Sequence, residues 1–254
     1  MNIIVCAKQI PDVSEMKIDS SSNKPILKGT PQIINDIDKN AMEEAIKIKD
    51  KNGGKITALT VATEDPKERV KELLAMGADE AVIVNAPENI DYYMTAQLLS
   101  DAIKKIGEYD LIICGEASVD LFSGQIGPRL AGLLNVPQLT YAQKVTAEKD
   151  KITAERNTGD HIVTTESSYP ALVTVTKEIN EPRLPSLMEI LAAANKPIKE
   201  WDSDSFDSNL KPIIETVDLK GVSMKRKNIV YKDDLDESVE KLVDNLSKDG
   251  VLGG

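Results

Sequence analysis

The sequence predicts an α/β protein: an open, mostly parallel β-sheet with flanking helices, an antiparallel extension and a C-terminal arm. Up to about residue 140, short β-branched apolar runs alternate with longer amphipathic stretches, which is typical of parallel strands joined by crossover helices. After Tyr141 the pattern changes to alternating strands with turn signals, and from about Lys199 the chain becomes rich in Asp and Ser. We therefore expect a main domain over residues 1–198 and an extended arm over 199–254.

The parallel strands are predicted from continuous apolar runs, which suit strands covered on both faces. They are placed at 2–7, 56–62, 81–84 and 111–114. The segment EMKIDSSSNKPILKGTPQII follows the first strand and predicts a hairpin or long loop with a polar tip at residues 20–23. Ligands bind at the carboxyl ends of the strands in such sheets. The hairpin is therefore either a cover over a site or an ordinary surface excursion.

Three amphipathic segments between the strands predict helices. The segment 36–54 has apolar residues at helical spacing and ends at a glycine pair. The segment 65–77 has Asp65 as N-cap, Pro66 at the first helical position and a glycine at its end. The segment 91–107 repeats the same spacing and also ends at glycine.

The second half of the chain predicts a different arrangement. Residues 143–176 alternate in the manner of antiparallel strands, with turns near 149–151 and 157–160, and we expect them to extend the same sheet. A short helix follows, with Ser186 and Glu189 as a capping box, and a last helix is predicted from residue 235. The tail has too little apolar surface to fold alone, so it is expected to lie on a partner subunit or on its own domain.

Composition excludes several classes of function. The net charge of -11 and the pI near 4.8 argue against binding to nucleic acid, which depends on Lys and Arg neutralising phosphates. No apolar run approaches the ~20 residues needed to cross a bilayer, and the first apolar stretch is too short for a signal peptide. We therefore expect a cytoplasmic protein without membrane insertion.

The supply of chemically reactive side chains is small. Cys6 and Cys114 lie in apolar runs, where a thiol usually serves as a small buried hydrophobe, and there is no CxxC motif. His161 is the one histidine. A metal site built on several imidazoles and a cysteine-histidine nucleophile pair are both disfavoured. We predict no catalytic residues and no metal site.

The segment CGEASVDLFSGQIGPRLAGLLN, residues 114–135, is the most informative in the chain. A strand, a glycine-containing loop and a helix together form an anion site, because free backbone N–H groups and the helix dipole at a helix N-terminus favour phosphate. The segment matches neither GxxxxGK[ST] nor GxGxxG, and many strand-to-helix turns contain glycine for geometry alone. As a pattern, it leaves both interpretations open.

Several long blocks resemble the beta subunit of electron-transfer flavoproteins, in the same order and at similar spacing. They are IIVCAKQIPD, LLAMGADEAVIV, DLIICGEASVDLFSGQIGPRLAGLLNVPQLTYA and YPALVTVTKEINEPRLPSL. The resemblance covers nearly the whole chain. It implies an adenine nucleotide alpha hydrolase-like fold and a heterodimer with an alpha subunit that carries the redox FAD. It also implies a second nucleotide, held by this chain at the carboxyl edge of its parallel sheet.

The resemblance assigns residues to that second nucleotide in two groups. The adenosine end is expected at the first strand end, through the backbone of Cys6, and at the neighbouring positions Asn35, Asp36, Ile37, Asp38, Val61, Ala62 and Thr63. The phosphates are expected on Gly115, Glu116, Ala117, Ser118, Val119, Asp120, Ser123, Gly124, Gln125 and Ile126. Both groups agree with the strand ends and the helix N-terminus predicted from the residues.

The identity of the second nucleotide depends on one departure. For the family type that binds AMP, the resemblance implies an Asn-Gln-Thr run at the positions where this chain has Gly124, Gln125 and Ile126. The sequence GQIGP is more similar to the type that bifurcates electrons from NADH and holds a second FAD. An Ile in place of a hydroxyl residue also removes one phosphate-facing donor. FAD is therefore the preferred cofactor, with AMP as the alternative.

The resemblance also implies electron-transfer partners: acyl-CoA-type or other dehydrogenases, a quinone reductase, or a ferredoxin/flavodoxin-type acceptor. The loop after Arg183 inserts into a partner dehydrogenase in this family and precedes a lysine-rich run, which AAANKP here lacks. Leu187 is either an anchor for that partner or a core residue of its helix.

Two rival classes remain: a stand-alone adenine-nucleotide sensor domain, and an ATP-using synthetase whose pyrophosphate or histidine motif the sequence does not contain.

Overall fold

A computed structural model describes most of the chain as two compact units. They are Met1–Leu219 and Lys220–Gly254. The structure describes residues 1–206, 210–221 and 227–252. Parts of the predicted arm, at 207–209, 222–226 and 253–254, lie outside the described residues. The first unit therefore ends later than the predicted boundary at residue 198.

The first unit alternates strands and helices as predicted. Its strands are β1 (Asn2–Cys6), β2 (Gln9–Pro11), β3 (Lys17–Ile18), β4 (Pro25–Ile26), β5 (Gln32–Ile34), β6 (Lys55–Ala62), β7 (Glu80–Asn85), β8 (Leu111–Gly115), β9 (Gln138–Ala147), β10 (Lys151–Asn157), β11 (Ile162–Ser168), β12 (Ala171–Val175) and β13 (Ile198–Asp202). Its helices are α1 (Asp36–Asn52), α2 (Lys67–Met76), α3 (Tyr92–Ile106), α4 (Ile126–Leu134) and α5 (Leu187–Ala193), with 3-10 turns at Lys177–Ile179 and Ser203–Ser205.

The main sheet has 9 strands in the order β11-β10-β9-β12-β8-β1-β6-β7-β13. From β9 to β13 every neighbouring pair is parallel, and β10 pairs antiparallel with both β9 and β11. This confirms the predicted α/β class with its antiparallel extension. Two small antiparallel ladders, β2-β5 and β3-β4, form the predicted hairpin after β1.

Three local predictions need correction. The strand β12 belongs to the parallel part of the sheet, between β8 and β9, and not to the antiparallel extension; its residues are all buried, which suits a central position. The strand β13, predicted as part of the arm, pairs with β7 at the sheet edge. The N-cap position of α2 is occupied by Pro66 and not by Asp65, although the Asp65 carboxylate accepts a bond from the Lys67 amide.

Two apolar cores lie on opposite faces of the sheet, because alternate strand residues point to opposite faces. Ile3 and Val5 belong to a core with α1, α2 and α5, whereas Ile4 and Cys6 belong to a core with α3 and α4. The sheet is thus covered on both faces, which leaves its carboxyl edge as the place where a ligand can enter.

The second unit contains helix α6 (Leu235–Lys248), which begins where the Asp234 carboxylate accepts bonds from two first-turn amides. Leu235, Val239 and Leu242 recur at helical spacing and are exposed. Of the helices within the described residues, none is long and apolar enough to cross a membrane.

Candidate functional site

A cleft of about 630 Å³ opens at the carboxyl edge of the parallel strands. It lies beside β1, whose two neighbours, β6 and β8, lead to opposite halves of the sheet. Such a reversal of strand order leaves a crevice between the loops above the strand ends. The loop from β8 to α4 forms one wall, and Leu27 and Lys28 of the hairpin also line the cleft. The hairpin is therefore part of the site.

Asn35 fixes the loop after β8. It is the N-cap residue of α1 and fully buried, yet its side chain does not cap that helix. Its Nδ2 donates to Ala117 O (3.0 Å) and its Oδ1 accepts from Val119 N (3.0 Å). Both ends of the amide are therefore used to hold the loop across the mouth of the sheet.

Asp38, in the first turn of α1, joins the ends of β1 and β8. Its Oδ2 accepts from Lys8 N (2.8 Å) and its Oδ1 accepts from Gly115 N (3.0 Å). A Cβ at residue 115 would lie 2.6 Å from the same Oδ1, so glycine is needed there for the close approach. Burial raises the pKa of the Asp38 carboxyl from 3.8 to about 6, although the bonds from Lys8 and Gly115 oppose the shift.

We expect Asp38 to make stability fall as pH rises from about 4 to about 6. The folded state binds the proton more tightly than the unfolded state, so the contribution is present below 3.8 and is lost as pH passes the folded pKa of about 6. The loss is on the order of 3 kcal/mol. The test compares urea unfolding of the wild type and Asp38→Asn at pH 4, 5, 6 and 7. A pH-independent difference between the two would contradict the assignment.

The N-terminus of α4 faces the cleft. Gly124 has φ 64°, a left-handed conformation that glycine adopts without strain, and Gln125 is the N-cap. No described side chain caps α4, because Gln125 Oε1 instead accepts from Arg129 Nε (2.9 Å). The first-turn amide of Ile126, which lines the cleft, therefore remains available for an anion.

Lys8 and Asp120 form an ion pair on the cleft wall, with Lys8 Nζ 2.6 Å from Asp120 Oδ2. The other carboxylate oxygen, Oδ1, is buried and has no hydrogen-bond partner among the described residues. A buried acceptor without a donor is costly.

Most of the residues predicted for the nucleotide line the cleft. They are Cys6, Asn35, Asp38, Val61, Ala62, Thr63, Gly115, Glu116, Ala117, Ser118, Asp120, Ser123, Gly124, Gln125 and Ile126. Three others do not: Asp36 is exposed, Ile37 is buried beside Gly115, and Val119 takes part through its amide bond to Asn35. The structure therefore brings together both predicted groups.

Sequence reasoning missed two parts of the wall. Ala7 and Lys8 continue past β1, and the rule that ligands meet strand ends would have indicated them. The other part is the start of α3, where Asp91, Tyr92 and Thr95 line the cleft. Asp91 caps α3 through Met94 N and also accepts from the amides of residues 213 and 214. No motif marks these positions, which depend on the sheet order.

The two cysteines lie side by side, Cys6 paired in register with Cys114 on β1 and β8. Both thiols are free and buried. Burial raises the pKa of Cys6 to about 12 and that of Cys114 well above its ordinary value. Such thiols stay protonated and act as small apolar side chains. Within the described residues, no three His, Cys, Asp or Glu side chains are grouped to hold a metal ion.

The fold and the site define an open α/β protein with a ligand cleft at the carboxyl edge of a parallel sheet. Residues 26–205 match the family described as "Electron transfer flavoprotein domain". The chain therefore belongs to the electron transfer flavoprotein family, among its beta subunits, and takes part in electron transfer.

Three relatives illustrate the similarity. The "Electron transfer flavoprotein subunit beta" of Thermoanaerobacterium thermosaccharolyticum is 37% identical over 99% of this chain and 100% of its own length. The "Caffeyl-CoA reductase-Etf complex subunit CarD" of Acetobacterium woodii is 37% identical over 84% of this chain and 81% of its own. The "Acryloyl-CoA reductase electron transfer subunit gamma" of Anaerotignum propionicum is 32% identical over 99% and 100%.

Proposed function

We propose that this chain pairs with an alpha subunit in the cytoplasm and holds FAD in the cleft at the end of β1 and β8. The heterodimer accepts electrons from an acyl-CoA-type dehydrogenase and passes them to a quinone reductase or a ferredoxin/flavodoxin-type acceptor, or bifurcates electrons from NADH. AMP in the same cleft is the alternative, and it would make the heterodimer a simple carrier.

The residues in the cleft fit an adenine nucleotide. The ends of β1 and β6 carry the small side chains of Ala7 and Ala62. An adenine ring can therefore lie against the backbone of these strand ends. The α4 amides and the hydroxyl of Ser123 suit a phosphate. Asp120, on the cleft wall, suits a sugar hydroxyl, and Lys8 offsets its charge.

The extent of the cleft favours FAD over AMP, and this observation carries the proposal. Besides the predicted adenylate contacts, residues of α3, the hairpin and the loop after β8 line the cleft. They include the apolar side chains of Leu27, Ile90, Leu99 and Leu121 and the ring of Tyr92. A nucleoside monophosphate has no group to cover these side chains, whereas the flavin half of FAD has a large apolar ring.

Bound flavin would supply the electron-transfer chemistry, and the chain's own residues would position it. Asn35 and Asp38 keep the loop and strand ends in place through their backbone bonds. The hairpin residues Leu27 and Lys28 reduce access of water to the cleft. No acid/base pair is required for these tasks.

Two exposed apolar surfaces support the proposed partners. Leu184 is 93% exposed and Leu187 is 71% exposed, so Leu187 is not a core residue of α5 and suits a pocket on a dehydrogenase. The face of α6 with Leu235, Val239 and Leu242 is also exposed. We propose that the end of the predicted arm, helix α6, packs through this face on the alpha subunit. The names of two relatives, which mention acyl-CoA reductases, support the dehydrogenase class.

The test is a count of nucleotides. The chain is co-expressed with an alpha subunit, the heterodimer is denatured, and released FAD and AMP are separated and quantified. We expect two FAD and no AMP per heterodimer. One FAD with one AMP would establish the alternative, and one FAD alone would remove the cleft from the nucleotide sites.

A further inference from the structure

We propose that Glu43 is a positioning residue: bonded to Arg183, it fixes the base of the exposed apolar segment 184–191 so that the segment meets its partner in one orientation. The inference rests on the proposed function, in that segment 184–191 contacts a dehydrogenase. We call these residues the docking segment.

Glu43 lies on α1 and is 4% exposed, an unusual position for a carboxylate. Its Oε2 accepts from Arg183 Nε (2.8 Å) and from Arg183 N (3.1 Å), and its Oε1 accepts from Arg183 Nη2 (3.0 Å). Both carboxylate oxygens are thus used by one residue. The bonds hold the main chain and the guanidinium of Arg183 together, which sets the direction in which the chain continues to Leu184.

The preceding part of the loop is held in the same way by neighbouring positions of α1. Asn40 Nδ2 donates to Asn180 O (2.8 Å), and Asn180 Nδ2 donates to Asn40 O (3.1 Å) and to Glu44 Oε2 (3.1 Å). Asn40 and Glu44 are also buried. One face of α1 is therefore polar and buried. Apart from a bond from Asn40 Nδ2 to Lys177 O (3.3 Å), its bonds to this loop are made with residues 180 and 183.

General stability does not account for this arrangement. Burying a carboxylate is costly, and a buried ion pair is seldom better than apolar residues of similar volume. Arg183 is 40% exposed in its side chain, so it contributes little apolar burial. What the polar face provides is orientation: residues 180 and 183 cannot slide along α1 without breaking several directional bonds.

Orientation matters here because the docking segment is apolar and outward-facing. Leu184, Leu187 and Met188 are 93%, 71% and 74% exposed. The capping box of Ser186 and Glu189 orders the start of α5 but does not connect it to the sheet. A segment held in its bound orientation before contact loses less conformational freedom on binding. The partner is therefore a protein with an apolar pocket, which is consistent with a flavin dehydrogenase acting on acyl-CoA.

The kinetic test uses the FAD-loaded heterodimer and a short-chain acyl-CoA dehydrogenase reduced by its acyl-CoA substrate. Glu43→Gln and Arg183→Lys are expected to raise the KM for the dehydrogenase on the order of tenfold, with kcat unchanged. Ferricyanide needs no docking surface, so its reduction rate and the flavin content stay at wild-type values. The double variant Glu43→Gln/Arg183→Lys is expected to be no worse than either single variant, because the pair acts as a unit.

The matched control is Glu166→Gln, which removes the ion pair between Lys151 and Glu166 (2.8 Å) on the extension strands β10 and β11, at the opposite end of the sheet from β7 and β13. It is expected to leave the KM at the wild-type value. An equal rise in Glu166→Gln, additive effects in the double variant, or a fall in kcat with KM unchanged would each overturn the positioning role.

A second measurement does not depend on the dehydrogenase. Trypsin cleaves after Arg183 only when the guanidinium leaves Glu43 and enters the protease pocket. Cleavage there is expected to be faster in Glu43→Gln than in the wild type and unchanged in Glu166→Gln. An unchanged rate in Glu43→Gln overturns the inference. If cleavage is faster in Glu43→Gln but the wild-type heterodimer takes no electrons from the dehydrogenase, the clamp is supported and the proposed partner is removed.

Discussion

Replacing Gly127 with alanine is expected to destabilise the protein by about 1–3 kcal/mol and to weaken nucleotide binding. A Cβ at residue 127 would lie 2.4 Å from Thr174 Cγ2, well inside van der Waals contact. Thr174 is 2% exposed and its Oγ1 accepts from Tyr141 N (3.0 Å), so rotating its side chain breaks that bond. The remaining response is to move α4 away from the sheet, and the amides at its N-terminus move with it.

The same helix offers a matched control. Gly132 also lies in α4, but a Cβ there would meet no atom within 4 Å. Alanine at an exposed helix position is better than glycine by roughly 1 kcal/mol. Gly132→Ala is therefore expected to stabilise and Gly127→Ala to destabilise, as measured by urea unfolding. Equal effects in the two variants would show that helix propensity, and not packing on Thr174, decides the outcome.

The sequence was informative about the parallel core because burial on both faces leaves a continuous apolar run. The predicted strands match β1, β6, β7 and β8, and the glycine-ended segments match α1, α2 and α3 within a few residues. Sheet order has no such signature. Nothing in the run Ala171–Val175 states that it enters between β8 and β9, and the half-exposed residues of β13 resemble those of a polar tail.

The site was predicted best where a local pattern carries the chemistry. The loop from Gly115 to Ile126 lies at the cleft. Its place could be predicted because the sequence shows a strand end followed by a helix N-terminus. Asp91 became part of the wall only through the placement of α3, whereas Lys8 follows from the rule that ligands meet strand ends. The buried face of α1 escaped notice for a similar reason: Asn40 and Glu43 are ordinary surface residues by type, and only their contacts with residues 180 and 183 reveal them.

Replacing Asn35 with alanine is expected to reduce the affinity of the cleft for FAD on the order of a hundredfold. The change removes both bonds that hold the loop after β8, from Nδ2 to Ala117 O and from Val119 N to Oδ1. A buried polar group left without a partner costs about 1–3 kcal/mol. Val119 is 39% exposed, so water can replace one of the two bonds. The loss of binding free energy is therefore at most roughly 3 kcal/mol, which corresponds to about a hundredfold change in affinity. Affinity is measured by flavin fluorescence after the heterodimer has been depleted of FAD.

The variant Asn40→Ala is the control that distinguishes an effect of the loop on FAD affinity from a general loss of stability. Asn40 is 2% exposed and lies on the same helix, but its amide is bonded to Asn180 and not to the loop after β8. Both variants are expected to unfold at lower urea concentration than the wild type, and only Asn35→Ala is expected to lose FAD. If both lose FAD equally, the effect passes through the position of α1 as a whole. If neither loses it, the loop does not need Asn35 to present its amides, and the phosphate contacts must lie at the N-terminus of α4 alone.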